Sequence, residues 1–397
     1  MAMTSDAAEP ELYEEPALRI NIVKDVPCIC EVRRSSAKGR GLYMTQSAHP
    51  GDVIYSEKPA VVIPKAGDNE SGCDRAKQPK DSWRSAAALA TGPQPQLEAV
   101  MAFLEPLDTE HPAYEVFRDS LNEGVIWLQE AGVRLDPASL KKLMLSTLLN
   151  GWGGDQGKLL FIWLSMTNHS CDPSAVMVTE GQSDPALLKV EVRALVDLKE
   201  GDEVTLCYIH DVMLPPKERA AHLMKGWFFS NVTPLASDEF INAYVKEGPD
   251  TDAAVANIIE ANGFAMKAWD LGHSSQDPVA ASRHLKNALG AYQLVLKSAS
   301  GVLHSEHGWV LNAQRRMASI LLREQEQFPG TAGVALKLCS AVAAGEEKIY
   351  RLGRVRLTET HSMAVEAAEL SGDRLAADMW KAKVAQGKAI RGMRYGQ

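Results

Sequence analysis

No two of the six cysteines in this 397-residue chain, at positions 28, 30, 73, 171, 207 and 339, are spaced as CxxC. That argues against a disulfide-built scaffold or a treble-cysteine zinc module, and leaves reduced, intracellular thiols as the expectation. Long apolar runs are also missing. The longest lies around Leu159–Leu164, far short of the roughly 20 residues that span a bilayer. The opening MAMTSDAAEPELYEEP places five carboxylates before the first base, Arg19, and has no apolar stretch of the kind a signal peptide needs. Basic excess is absent too. A net charge of −9 argues against a general nucleic-acid coat, although a local basic patch stays compatible with it.

What is present is an ordinary globular composition, 45% hydrophobic and 23% charged, which excludes global disorder. The length suggests two or three domains. Charge is unevenly placed: Leu235 to Gln397 holds 19 basic against 18 acidic residues, and the preceding part holds 23 against 33. The acidic lead, residues 1–18, reads as a solvated disordered tail.

Residues 19–64 read as β, with short β-branched runs punctuated by Gly and Pro. Residues 65–82 are polar and loop-like. From 83 to 150 apolar residues recur at helical spacing, and Asp136-Pro137 offers a cap and first turn. Strands return in KLLFIWLSM, AVMVTE, LLKVEVRALVDL and DEVTLCYIH, with GQSDP as a turn. A helix is expected from about Pro215. From Ala236 onward the pattern is helical, with breaks expected at Gly248-Pro249, Gly272, Gly301, Pro329-Gly330, Gly345 and Gly372. Ala-rich segments of this kind suggest antiparallel helical hairpins without a strict 34-residue period.

Three stretches carry the chemistry. Lys38-Gly39-Arg40-Gly41 has two glycines that let backbone approach a ligand, although a GxG alone reads equally as a β-turn. Asn168-His169-Ser170-Cys171-Asp172-Pro173 follows an apolar strand and packs polar groups where they need partners. An N-glycosylation sequon, a metal pair from His169 and Cys171, or a Cys171 nucleophile are rival readings of it. Gly201-Asp202-Glu203 turns into a strand that ends at Tyr208, where a lone tyrosine is also compatible with a simple rim residue.

Together, and in this order around a helical insert, the three stretches resemble the SET-domain protein lysine methyltransferases. The chain is most similar to the SMYD-type (SET-and-MYND) group. Leu149-Asn150-Gly151-Trp152 resembles that group's Cys-Asn-Ser-Phe, and Met213 to Phe229 its helix after the tyrosine. Two departures stand out. The insert has only Cys73, so a MYND finger is not expected. No cysteine follows Cys207 until Cys339, so a post-SET zinc is not expected either. The second asparagine of the family motif is Ser174 here.

The resemblance implies an α+β fold, in which a β-rich SET domain is split by a helical insert and followed by an all-α tetratricopeptide-like domain. Its parts would be 19–64 and 151–234 for the SET halves, 65–150 for the insert and 235–397 for the helical domain. It implies S-adenosylmethionine as cofactor, no zinc, and a protein or peptide lysine as substrate, with no nucleic-acid or membrane partner and an intracellular location in cytoplasm or nucleus. The cofactor's methionine moiety would lie along Lys38, Gly39, Arg40 and Gly41. Asn150 and Asn168 would bind its polar groups, with Ser165 lining the site. His169 would face the adenine, Phe229 would stack on it, and Trp227 would lie nearby. Tyr208 would be catalytic and, with Trp152, would wall the lysine channel. Such a transfer needs a neutral amine, and desolvation beside a sulfonium lowers a lysine pKa from ~10.4. A non-catalytic SET scaffold that binds partners through its helical domain is the alternative. The target protein would be selected by the groove between the two domains, which no motif encodes.

Overall fold

The computed structural model describes residues 11–12, 22–23, 26–35, 39–64, 79–103, 112–154, 157–181, 187–209, 212, 214, 216–230, 232, 235, 249–350 and 354–392. Two compact units divide the chain, one of Met1–Tyr208 with Leu223–Ser230, the other of Ile209–His222 with Asn231–Gln397.

The first unit builds three small sheets. β1 (Glu11–Leu12), β2 (Cys30–Ser35), β3 (Gly39–Met44), β11 (Glu203–Leu206) and β8 (Asn168–His169) form one, in that order. Its pairings are antiparallel except for the parallel register that sets Thr205 against Asn168. β4 (Val53–Glu57), β10 (Lys189–Ala194) and β9 (Ala175–Glu180) form the second, and β5 (Val61–Pro64), β7 (Gly157–Leu160) and β6 (Gly151–Gly154) the third. Of residues 1–18, only Glu11 and Leu12 are described, and they pair with Arg34 and Arg33.

Between β5 and β6 run α1 (Pro79–Thr91), α2 (Gln94–Phe103), α3 (Pro112–Glu130) and α4 (Pro137–Asn150). Asp136 starts α4 as expected, its carboxylate accepting from Ala138 and Ser139 N–H at 3.0 Å ahead of Pro137 at the first turn. These helices share one apolar core with the sheets, in which Leu89, Leu140 and Leu143 join Leu42, Ile54 and Phe161.

Two corners of the first unit repeat one design. His49-Pro-Gly-Asp52 joins β3 to β4, and Lys199-Glu-Gly-Asp202 joins β10 to β11. Each closes an N–H to carbonyl bond from its Asp (3.0 and 3.1 Å) across a glycine at φ 96° and 87°, the pattern of a type II turn. Each Asp carboxylate then accepts the first residue's N–H, at 2.8 and 2.7 Å. The corners also bond to one another through Ala48 and Leu198.

α5 (Pro216–Trp227) follows Tyr208 in the sequence. The second unit continues with α6 (Pro249–Ser274), α7 (Pro278–Ala299), α8 (Gly308–Arg323), α9 (Ala332–Glu346), α10 (Val355–Ser371) and α11 (Arg374–Ile390). An α+β unit whose sheets are split by a helical insert, and an all-helical region, are therefore both present, as expected. None of the described helices is long and apolar enough to cross a membrane.

Three local expectations are corrected. Gly272 and Gly345 do not break helices; they lie inside α6 and α9. A Cβ at either would fall 2.7 or 2.8 Å from a leucine side chain, Leu285 or Leu311, so both are points of close helix approach. Gly372, at φ 77°, is the real stop, capping α10 in the left-handed region. Finally, the strand expected through Met166 ends at Leu160, and residues 164–166 form a single 3₁₀ turn. The expected GQSDP turn lies mostly outside the described residues.

Candidate active site

The three stretches singled out in the sequence converge in the first unit. Gly39, Arg40 and Gly41 open β3, Asn168 and His169 make up β8, and Tyr208 follows β11 directly. Asn168 fastens them together: its amide nitrogen donates to the Arg40 carbonyl at 2.9 Å and to Glu203 Oε1 at 2.8 Å. Gly41 makes room for this pair. A Cβ there would lie 2.9 Å from Asn168 Nδ2 and 3.0 Å from Glu203 Oε1, closer than real side chains approach. Gly39 has a different role, holding φ 73° at the start of the strand.

Tyr208 is tied at both ends. Its N–H donates to His169 Nδ1 at 3.0 Å, which leaves His169 Nε2 to carry the ring proton toward Cys171 Sγ, 3.4 Å away. Its hydroxyl donates to the Thr167 carbonyl at 2.5 Å. Burial, reinforced by the Glu203 charge, pushes the phenol well above its usual pKa, so the hydroxyl keeps its proton. With that proton directed at Thr167, the oxygen lone pairs remain to receive a hydrogen bond from another donor.

Aromatic rings surround this hydroxyl-bearing ring. Trp227 stands 5.1 Å from it and His169 5.3 Å, while Trp152 at 6.2 Å and Phe229 at 6.3 Å meet it edge-on. Phe229 also lies 6.1 Å from His169. Trp227 and Phe229 both reach Tyr208 because Phe228 between them takes φ 63°, the only non-glycine residue among those described with a positive φ. Such a backbone costs about 1–3 kcal/mol. Phe228 itself turns onto Phe117 and the core. A core-cluster reading of Trp227-Phe228-Phe229 thus describes Phe228, and a site reading the two flanking rings.

Other expected residues lie less directly in this arrangement. Asn150 ends α4 with its amide donating to the Ser146 carbonyl of its own helix at 2.9 Å. Ser165, in the 3₁₀ turn, donates its hydroxyl to the Phe161 carbonyl. Lys38 lies outside the described residues. Ser174, at the departure from the family motif, accepts from Thr205 N–H at 2.9 Å and donates to the Glu203 carbonyl at 3.1 Å, which binds the loop after β8 to β11. Among the described residues no group of three or more His, Cys, Asp or Glu is arranged to hold a metal ion.

Sequence reasoning missed Thr167, Tyr55 and Glu57. Tyr55 Oη meets Thr167 Oγ1 at 3.2 Å, so two tyrosines, from distant strands, converge on one threonine. Glu57 is wholly buried and accepts the N–H groups of Ile162, Trp163 and Leu164. In SEKPA this glutamate reads as an ordinary surface charge. The one available signal was its alternation with Val53 and Tyr55 along one strand.

The SET domain family model matches residues 39–209, a segment that holds Gly39–Gly41, Asn168, His169 and Tyr208 and ends before Trp227 and Phe229. Over 83 residues the chain is 35% identical to human "Histone-lysine N-methyltransferase SMYD3", covering 21% of this chain and 18% of that one. It is 34% identical over 88 residues to a "SET and MYND domain-containing protein" of Dictyostelium discoideum, and 35% identical over 68 residues to a "SET domain-containing protein" of the same organism. These two alignments cover 22% and 17% of this chain and 16% of each relative. The chain is therefore SMYD-like in its SET portion, and the matches span less than a fifth of the length of these relatives.

Proposed function

We propose that the protein is an S-adenosylmethionine-dependent protein lysine N-methyltransferase with Tyr208 as its catalytic residue. The observation that carries the reading is the Tyr208 hydroxyl, protonated by its surroundings, directed at Thr167 and ringed by Trp152, Trp227, Phe229 and His169. The residues fit the cofactor. Phe229 and His169 offer ring faces for a purine, and the polar floor of Asn168, the Arg40 backbone and Glu203 suits a zwitterionic amino-acid tail, beside a Gly41 whose Cβ would crowd Asn168 and Glu203. Lys38, Gly39 and Trp227 would border the same site, and Asn150 and Ser165 would line it after a turn of their side chains. S-adenosylmethionine, when bound, supplies an electrophilic methyl group on a sulfonium.

The chain's own residues then act on the incoming lysine. The aromatic walls exclude water and lower the amine's pKa. The Tyr208 lone pairs accept a hydrogen bond from the amine and so aim its remaining lone pair, which is a gain from orientation. Trp152 fixes the ring edge-on against rotation. The substrate is proposed to be a lysine of a protein or peptide chain, and the helical region to help select it.

S-adenosylmethionine should raise the melting temperature of the purified chain, as a ligand that binds only the folded state must, and the chain should label proteins from a lysine-containing array with a methyl group from the cofactor. A melting temperature indifferent to the cofactor at millimolar concentration would refute the reading and favour the scaffold.

A further inference from the structure

We propose that Glu57 is a positioning residue of the site: a buried carboxylate clamp that sets the Thr167 carbonyl and Asn168 by gripping the turn before them. The proposal rests on the methyltransferase reading for its consequence, and on the geometry of the first unit for the clamp itself.

Three consecutive amides converge on this one side chain. Ile162 N–H donates to Oε1 at 2.6 Å, Trp163 N–H to Oε1 and Oε2 at 3.0 and 3.1 Å, and Leu164 N–H to Oε2 at 3.1 Å. Those amides begin the 3₁₀ turn, whose closing bonds run from Met166 N–H to the Trp163 carbonyl and from Thr167 N–H to the Leu164 carbonyl. Thr167 carries the carbonyl oxygen that accepts the hydrogen bond from the Tyr208 hydroxyl, and the next residue is Asn168. From Glu57 to the reacting end of the site there are thus only four residues of tightly bonded chain. The same strand adds a second hold, since Tyr55, two residues earlier and on the same face, meets Thr167 Oγ1 and packs its ring, tilted, 5.8 Å from Trp163.

Among the described residues no cation pairs with the clamp. The charged and titratable groups described around Glu57 are Tyr55 on its own strand and Cys28 on the segment before β2, with Cys30 beside Tyr55. On β10 the residue opposite is Val190, and its neighbours Lys189 and Glu191 pair with one another. On the turn only amides face it. Burial raises the carboxyl to about 7 against the pull of its three amides. A proton on either oxygen converts an acceptor into a donor facing N–H groups, so at least one amide must let go. The ionised form is the gripping form.

Glu57→Gln imitates the protonated clamp and Glu57→Asp keeps the charge on a shorter arm. Amide hydrogen exchange at Ile162, Trp163 and Leu164, corrected for intrinsic rates, reads the clamp without any ligand. Protection should fall about fivefold in the wild type between pH 8 and pH 6, the interval across which a group titrating near 7 changes state. In E57Q it should be low and flat across that interval, and E57D should recover part of both protection and slope. S-adenosylmethionine affinity should weaken in the wild type over the same interval and stay within about twofold in E57Q. Equal protection of the three amides in wild type and E57Q at pH 8, or the same pH slope in both, would overturn the clamp. Altered exchange with unaltered cofactor affinity and turnover would overturn its positioning role. A wild type that binds no cofactor at either pH would overturn the methyltransferase reading, and the exchange data would still decide the clamp.

Discussion

Among the described residues each unit buries one glutamate completely, and the two are treated in opposite ways. Glu346 in the helical region accepts from Arg356 Nε at 2.8 Å and from the Thr360 hydroxyl at 2.6 Å. Glu57 in the SET portion accepts from three backbone amides, and its carboxyl is raised by burial to about 7. In the helical region the buried charge is matched by a countercharge and fixed. Beside Thr167 and Asn168 the charge is matched by N–H dipoles and stays responsive to protons. The difference separates packing from positioning, and it can be tested from both sides.

The largest effect should come from Tyr208→Phe. Removing the hydroxyl should lower methyl transfer by about 10²-fold or more, the range of a lost transition-state proton or hydrogen-bond partner, with cofactor affinity nearly unchanged. A parallel fall in affinity measured by calorimetry would mean that Tyr208 serves the cofactor and not the amine. Next in size is Glu346→Ala, which removes the buried carboxylate shared by Arg356 and Thr360 and should cost about 3–5 kcal/mol in urea unfolding, without altering the cofactor's affinity in a chain that remains folded. If the cost is below 1 kcal/mol, the helical region does not depend on its matched charge and the comparison fails on that side.

Glu57→Gln sharpens the other side through the sign of its pH dependence. A carboxyl raised in the folded state binds its proton more readily there than when unfolded, so it adds stability on acidification from about pH 7 towards 4.5 and withholds it above 7. Wild type minus E57Q should therefore change by up to about 3 kcal/mol in that direction, even as the amide clamp loosens. A difference of the opposite sign, or none, would contradict the unpaired burial. Asn168→Ala should cost about 1–3 kcal/mol by leaving the Arg40 carbonyl and Glu203 without their shared donor, and should weaken the cofactor too. A wild-type melting temperature together with wild-type affinity would detach Asn168 from the site. The smallest pair contrasts two helical glycines. Gly345→Ala should destabilise by about 1–3 kcal/mol against Leu311, whereas Gly290→Ala, with open space around it, should stabilise by up to about 1 kcal/mol. Equal responses would show that close helix approach is not what holds the helical region.

The parts of this molecule that could be read from sequence are those whose cause is local. Asp136-Pro137 announces its helix because the cap acts within three residues, and Gly-Asp corners announce theirs because the turn closes on itself. The three site stretches were visible as polar groups set among apolar strands, and Asn168 and Tyr208 stood out among them. Phe161–Met166 was misread as strand because its apolar run gives no hint that a carboxylate 105 residues away captures its amides. Gly272 and Gly345 looked like breaks for the same reason, since the leucines that require them belong to neighbouring helices. Glu57 offered only its alternation with Val53 and Tyr55 as a signal, because nothing in SEKPA itself distinguishes a buried acceptor from a solvated charge.

The convergence on Thr167 has a consequence for the time course of folding. Tyr55 reaches that residue across 112 positions of chain and Tyr208 across 41, whereas the helical region is built chiefly from helices adjacent in sequence. Long loops must close before contacts of the first kind return any energy, and topologies that depend on them fold slowly. The node at Thr167 cannot form until strands from the beginning and the end of the SET portion have both arrived. The helical hairpins can assemble while the SET portion is still open, and the site, which depends on the node, is among the last features of the molecule to exist.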